Sequence, residues 1–154
     1  MKPFLRTKLL CDDKTLFTHG ACHIFADELA TRLVPLGFVL KRLADINRCS
    51  PQQQALHVFL SRADKMVDVN GIQYVAGYVQ AKRQDWLDLD GPRSNFQVLD
   101  CSQPELFKKI PSEADEERGA RNKWHLLIDD DFVAECRERA RALLILTPRV
   151  YGLG

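Results

Sequence analysis

The chain has 154 residues, 45% of them hydrophobic and 28% charged, with a formal net charge of +1. That balance suits one domain, spanning residues 1–154, with a core of ordinary size, and it excludes disorder over most of the chain. It also argues against a nucleic-acid partner, because the basic clusters at Lys82-Arg83, Lys108-Lys109 and residues 118–123 are diluted by acidic neighbours.

In chain order, the first fifteen or so residues carry no readable pattern. Residues 22–33 are the clearest element. Phe25, Leu29 and Leu33 recur at helical spacing with Cys22 and Ala26 near the same side, while Asp27, Glu28, Thr31 and Arg32 take the other face. Pro35 and Gly37 end this helix, and Thr18 or the turn around Gly20 is the expected cap. Residues 37–40 read as a short buried strand, and 45–54, with Ser50-Pro51, as a loop.

Residues 55–61 and 66–69 are rich in apolar and β-favouring types. They read as two strands of a hairpin closed by the turn at 62–65 and ended by Asn70-Gly71. The spacing over 72–87 suits strand and helix about equally. Residues 88–93 read as a loop and 96–99 as a strand. Pro104 sits in the first turn of an expected helix starting near Ser102, and 111–122 is highly charged. Residues 129–146 predict a helix, acidic at its start, with Phe132, Val133, Cys136, Ala140, Leu143 and Leu144 on one face. Arg137, Arg139 and Arg141 suit the C-terminal half of its dipole. The tail around Pro148 has no readable role.

Three residues in these elements carry chemistry. A cysteine attacks as thiolate, and a free thiol titrates at about pH 8.5, so an enzyme must lower that value. The first turn of a helix does so with its free N–H groups and partial positive charge, and Cys22 falls there. Gly20 and Ala21 are small enough to let a substrate approach the sulfur, and the N–H groups of this turn suit an oxyanion hole. A nucleophile needs a base, and His57 lies in the first hairpin strand. The base needs an acceptor that fixes its tautomer. Asp68 lies on the second strand, on the face opposite Val67 and Val69, where antiparallel pairing brings it beside His57. A lone carboxylate in an apolar strand calls for such a partner.

Cysteine opening an amphipathic helix, then histidine opening a strand, then aspartate on the next strand, resembles the papain-like and transglutaminase-like superfamily. NlpC-type peptidases and bacterial toxin deamidases belong to it. The resemblance is carried by residues 18–26, by 56–59 and by 67–71, and covers about 15–75. It implies an α+β fold in which an N-terminal helix carrying the cysteine packs on a small antiparallel sheet, with further C-terminal helices. The core would then span about 15–80 and an elaboration about 81–154. It also implies a cysteine hydrolase acting on an amide or acyl group through a thioester, as a peptidase or protein glutamine deamidase of the effector or toxin kind. Its catalytic residues would be Cys22, His57 and Asp68. The substrate-binding or oxyanion candidates are His19, Gly20, Ala21 and Gln54, with Gln52 and Gln53 beside it.

Two other readings use the same residues. One is a transglutaminase or acyltransferase. The other is a non-catalytic protein-binding module that works through Tyr74, Tyr78 and Trp86 or the charged C-terminal third. A protein or peptide is the expected partner in each, with no cofactor and no metal. No Cys-x-x-Cys pair or His-Glu-x-x-His helix occurs, and Asp129-Asp130-Asp131 lacks calcium-loop spacing. His23 points about 100° round the helix from Cys22 and reads as an awkward partner for it. Cys136 reads as core. The odd count of five cysteines, with Cys11, Cys49 and Cys101 scattered, predicts reduced thiols. No apolar run reaches membrane-spanning length, and the first residues lack the pattern of a cleaved signal. The chain is therefore expected in the cytoplasm, or exported without a cleaved signal peptide. The sequence leaves the oligomeric state open.

Overall fold

A computed structural model describes residues 1, 3–45, 56–90, 95–103 and 129–154, with 86–90 in backbone only. Of the expected loop over 45–54, residue 45 belongs to a strand, and 46–54 with Cys49, Gln52, Gln53 and Gln54 lie outside the described residues. So do the body of the proline-led helix, the charged stretch 111–122, His125 and the side chain of Trp86.

The fold is α+β. Three helices lead, α1 (Pro3–Leu9), α2 (Asp13–Thr18) and α3 (Cys22–Leu33). They are followed by β1 (Val39–Asp45), β2 (His57–Arg62), β3 (Lys65–Asp68), β4 (Gly71–Tyr74), α4 (Val75–Asp90), β5 (Phe96–Asp100) and α5 (Asp130–Leu146). A 3-10 turn, Pro148–Tyr151, closes the described chain. The five strands form one antiparallel sheet in the order β4-β3-β2-β1-β5. Leu60 pairs with Val67 and Arg62 with Lys65, so Ala63 and Asp64 make a two-residue turn, with Ala63 at φ 53°.

Alternation along the strands splits the core in two. Leu40, Val58, Leu60, Val67 and Val69 join α1, α2, α3 and α5 in a large cluster centred on Ile24, Phe25, Leu29, Phe132, Cys136 and Leu144. Leu43, Phe59, Met66 and Phe96 form a second cluster with Val75, Tyr78 and Val79 from α4. The cysteine helix therefore lies against one face of the sheet and α4 against the other.

Several elements differ from expectation, each for a physical reason. The N-terminus holds two short helices. Such helices depend on tertiary support. Buried Leu5, Leu16 and Phe17 supply it, together with the Asp12 carboxylate, which accepts from the Thr15 N–H at 2.7 Å. Strand β1 runs on to Asp45, where it pairs with β5 and places Lys41 opposite Asp100 in an ion pair. The ambiguous stretch is both things in turn, because β4 ends at Tyr74 and α4 starts at Val75 and continues through Asp90. Residues 88–90 are therefore helical and not loop. Gly71 takes φ 96°, and a Cβ there would meet the Val150 side chain and carbonyl at 3.2 Å, so this turn requires glycine.

The arginines of α5 serve contacts between helices and not only its dipole. Arg137 pairs with Asp27 and Glu28, Arg141 with Glu28, and Arg139 with Asp13 and with the carbonyls of Leu9 and Cys11. The tail also has a role: the Tyr151 hydroxyl donates to the Val69 carbonyl at 3.1 Å, and its ring meets Phe25 edge-on at 5.3 Å. The C-terminal segment thus braces the strand that carries Asp68. No helix among the described residues is long and apolar enough to cross a membrane.

Helix α5 begins at the Asp129 carboxylate, which accepts from the Phe132 N–H at 3.0 Å. Replacing Asp129 by alanine is expected to cost about 1 kcal/mol and to lower the melting temperature by about 2–4 °C in a thermal melt.

Candidate active site

Helix α3 starts at Cys22 because Gly20 turns the chain sharply out of α2. Gly20 has φ 156°, and a Cβ there would stand 3.0 Å from Lys8 Nζ, which itself donates to the His19 carbonyl. The capping residue is Ala21, and no side chain caps this end; the expected Thr18 cap is not formed. The Ala21 carbonyl accepts from Ile24 and Phe25, whereas the Cys22 N–H has no partner among the described residues. It is a free donor at the positive end of a helix dipole.

His57 opens β2 and Asp68 closes β3. Their side chains meet at 2.7 Å, with His57 Nε2–H donating to Asp68 Oδ2, and both residues are almost wholly buried. The other carboxylate oxygen is occupied as well: Asp68 Oδ1 accepts from the Asn70 backbone N–H at 2.8 Å and from Gln73 Nε2 at 3.3 Å. Three donors converge on one buried carboxylate, which fixes its position.

Cys22 is 4% exposed. Burial acts most strongly on its thiol and pushes the pKa up, but hydrogen bonding from His23 and His57 and their positive charges outweigh that and bring it down to about 6. Cys136 is the internal contrast, because there burial dominates and drives the thiol up to about 12. Two buried cysteines in one core therefore shift in opposite directions, and the difference is the pair of imidazoles beside Cys22. Burial lowers His57, but its bonds to Asp68 and Cys22 prevail and raise it to about 9. Since Nε2 is committed to Asp68, Nδ1 is the nitrogen left to exchange a proton with Cys22 Sγ. Between these two values the pair is a thiolate and an imidazolium.

No family model, curated protein or solved structure matches this chain.

The structure thus brings Cys22, His57 and Asp68 together at the end of the sheet; Gly20 and Ala21 precede the cysteine in the chain, with Ala21 wholly buried in the core and Gly20 beside Lys8. His19 is exposed, and its described bonds are made by its backbone, to Thr15 and Lys8, and not by its ring. Gln54 lies outside the described residues. Among those residues no group of three His, Cys, Asp or Glu side chains is arranged to hold a metal ion.

Reading the helix by angle alone misses His23. It is wholly buried and acts on the Cys22 thiol. The signal is present in the sequence: His23, Ala26, Ala30 and Leu33 follow helical spacing, and all four are buried. Tyr78 reads from the sequence only as an interaction residue. Its ring lies 5.5 Å from that of His57.

Proposed function

We propose that this chain is a cysteine hydrolase that cleaves an amide through a thioester, on a core of the papain-like or transglutaminase-like kind. The observation that carries this reading is the buried His57–Asp68 pair beside a cysteine whose thiol is held near pH 6 at a helix start. A structural cysteine in this core behaves instead like Cys136.

Cys22 Sγ attacks the amide carbon, and the negative charge passes to the carbonyl oxygen, for which the free Cys22 N–H is a donor. His57 gives its Nδ1 proton to the departing amine, whose C–N bond breaks to leave the acyl group on sulfur. Water then attacks the thioester, His57 takes its proton, and the thiolate leaves. The net change is amide plus water to carboxylic acid plus amine, or ammonia when the amide is a glutamine side chain. Asp68 holds the ring and balances the imidazolium throughout.

The reaction should follow a bell-shaped pH dependence. Below about 6 Cys22 is protonated and does not attack; above about 9 His57 lacks the proton the leaving amine needs. Folding stability should be nearly flat between these limbs. The folded pair holds one proton, on His57, and in the unfolded chain the one proton remains on the thiol, because histidine titrates near 6.5 and cysteine near 8.5. The thiolate should therefore appear in the ultraviolet with a midpoint near 6 while urea stability barely changes.

The deciding assay supplies peptide amides, with and without glutamine side chains, and follows release of amine or ammonia and acyl transfer to Cys22 by intact-protein mass. The expected result is turnover with a Cys22 adduct, absent in Cys22→Ala. Undiminished turnover in Cys22→Ala would sink the proposal. Products that form only with an added amine acceptor would redirect it to acyl transfer.

A further inference from the structure

We infer that Tyr78 is a positioning residue, which holds the His57 ring in its ion pair by lying against it from the α4 side of the sheet. The inference rests on the hydrolase reading above. Among the described residues, His57 meets Asp68 at its Nε2, Cys22 through a hydrogen bond, Phe59 with ring centroids 6.2 Å away, and Tyr78 at 5.5 Å with its plane tilted by 38°. Phe59 and Tyr78 also touch each other, at 6.0 Å and nearly edge-on. The imidazole therefore sits in an aromatic corner. Phe59 is wholly buried core, whereas Tyr78 is half-buried on a helix that begins directly after β4.

A π-face favours a cation over a neutral ring, and it does so most where water is scarce. Tyr78 against His57 therefore stabilises the imidazolium more than the neutral imidazole. Through the shared proton it favours the Cys22 thiolate as well. The phenol itself stays neutral, because burial and then the charges of Asp68 and Cys22 drive its ionisation far above the ordinary range. Among the described residues, the ionisable groups that act on the ring pair are Cys22 from α3, Asp68 from β3 and Lys82 from α4, while His23 acts on Cys22 itself. Lys82 Nζ lies 5.7 Å from the Tyr78 centroid.

A tyrosine that merely fills the second core would leave the titration of Cys22 unchanged when another side chain of similar bulk took its place. The test is the pH dependence of Cys22 alkylation by iodoacetamide in the full chain, read by peptide mass, for wild type, Tyr78→Phe and Tyr78→Leu. Tyr78→Met repeats the leucine experiment if that variant does not fold. Tyr78→Phe keeps the π-face and is expected to keep the wild-type midpoint near 6. Tyr78→Leu is expected to raise it by about one pH unit, a roughly tenfold loss of thiolate on the acid side. If wild type shows the low midpoint and Tyr78→Leu superposes on it, the positioning role is overturned while the hydrolase reading stands. If wild type lacks the low midpoint, both fall together.

Discussion

Replacing His57 by alanine is expected to lower kcat/KM for amide hydrolysis by at least about 1,000-fold. The size follows from where Cys22 sits. At 4% exposure its thiol is held in the ionised form by the imidazoles and not by water. Once His57 is gone, only His23 still opposes burial at Cys22, and the thiol rises toward the range of Cys136, which burial pushes to about 12. The thiolate fraction at neutral pH then falls, and the imidazole assigned to protonate the leaving amine is lost. His57 also packs against Phe59 and Tyr78, so the variant must be shown to be folded by circular dichroism before its rate is read. A folded His57→Ala protein within about tenfold of wild type would contradict the assigned role.

Asp68→Asn is expected to cost about 1,000- to 10,000-fold in kcat/KM, with the alkylation midpoint of Cys22 rising. An amide has one acceptor oxygen and one donor nitrogen. At the Oδ1 position two donors converge, the Asn70 backbone N–H and Gln73 Nε2. The Asn70 donor cannot turn away, so the amide oxygen must face it. The amide nitrogen then falls where Oδ2 stood, against His57 Nε2. A donor at Nε2 forces the ring proton onto Nδ1, the nitrogen that must accept from Cys22, and disfavours the imidazolium. The site therefore distinguishes aspartate from asparagine through the turn that follows Asp68. Steady-state kinetics with the alkylation profile check this, and an Asp68→Asn enzyme of near-normal rate would refute it.

The parts of this arrangement legible in the sequence are those set by local periodicity. Phe25, Leu29 and Leu33 at helical spacing mark α3, and its first turn gives Cys22 a place. Alternation around Val67, Asp68 and Val69 marks the face on which His57 is met. The 3.6-residue pattern through Phe132, Cys136, Ala140 and Leu144 marks α5. What is not legible depends on tertiary contact. Short helices such as α1 and α2 have too few residues for a period and stand by burying Leu5, Leu16 and Phe17. The change from β4 to α4 at Tyr74–Val75 occurs inside one run of similar residues, where both periods fit. Arg137, Arg139 and Arg141 have a local reading as dipole partners, and only the approach of α5 to α2 and α3 reveals their carboxylates. His23 and Tyr78 escape a sequence reading for opposite reasons. The angle of His23 from Cys22 hides the buried row to which it belongs, whereas Tyr78 reaches His57 only because α4 returns across the far face of the sheet.

The central claim is that Cys22 and His57 exist as an ion pair. The measurement that addresses it most directly is the rate of iodoacetamide alkylation at each cysteine, from acidic to mildly basic pH, in wild type and in His57→Ala. The expected result is that Cys22 reacts in wild type with a midpoint near 6, while Cys136 stays inert, and that the acid-side reactivity of Cys22 disappears when His57 is removed. A Cys22 that titrates as an ordinary or buried thiol, unchanged by His57→Ala, would contradict it.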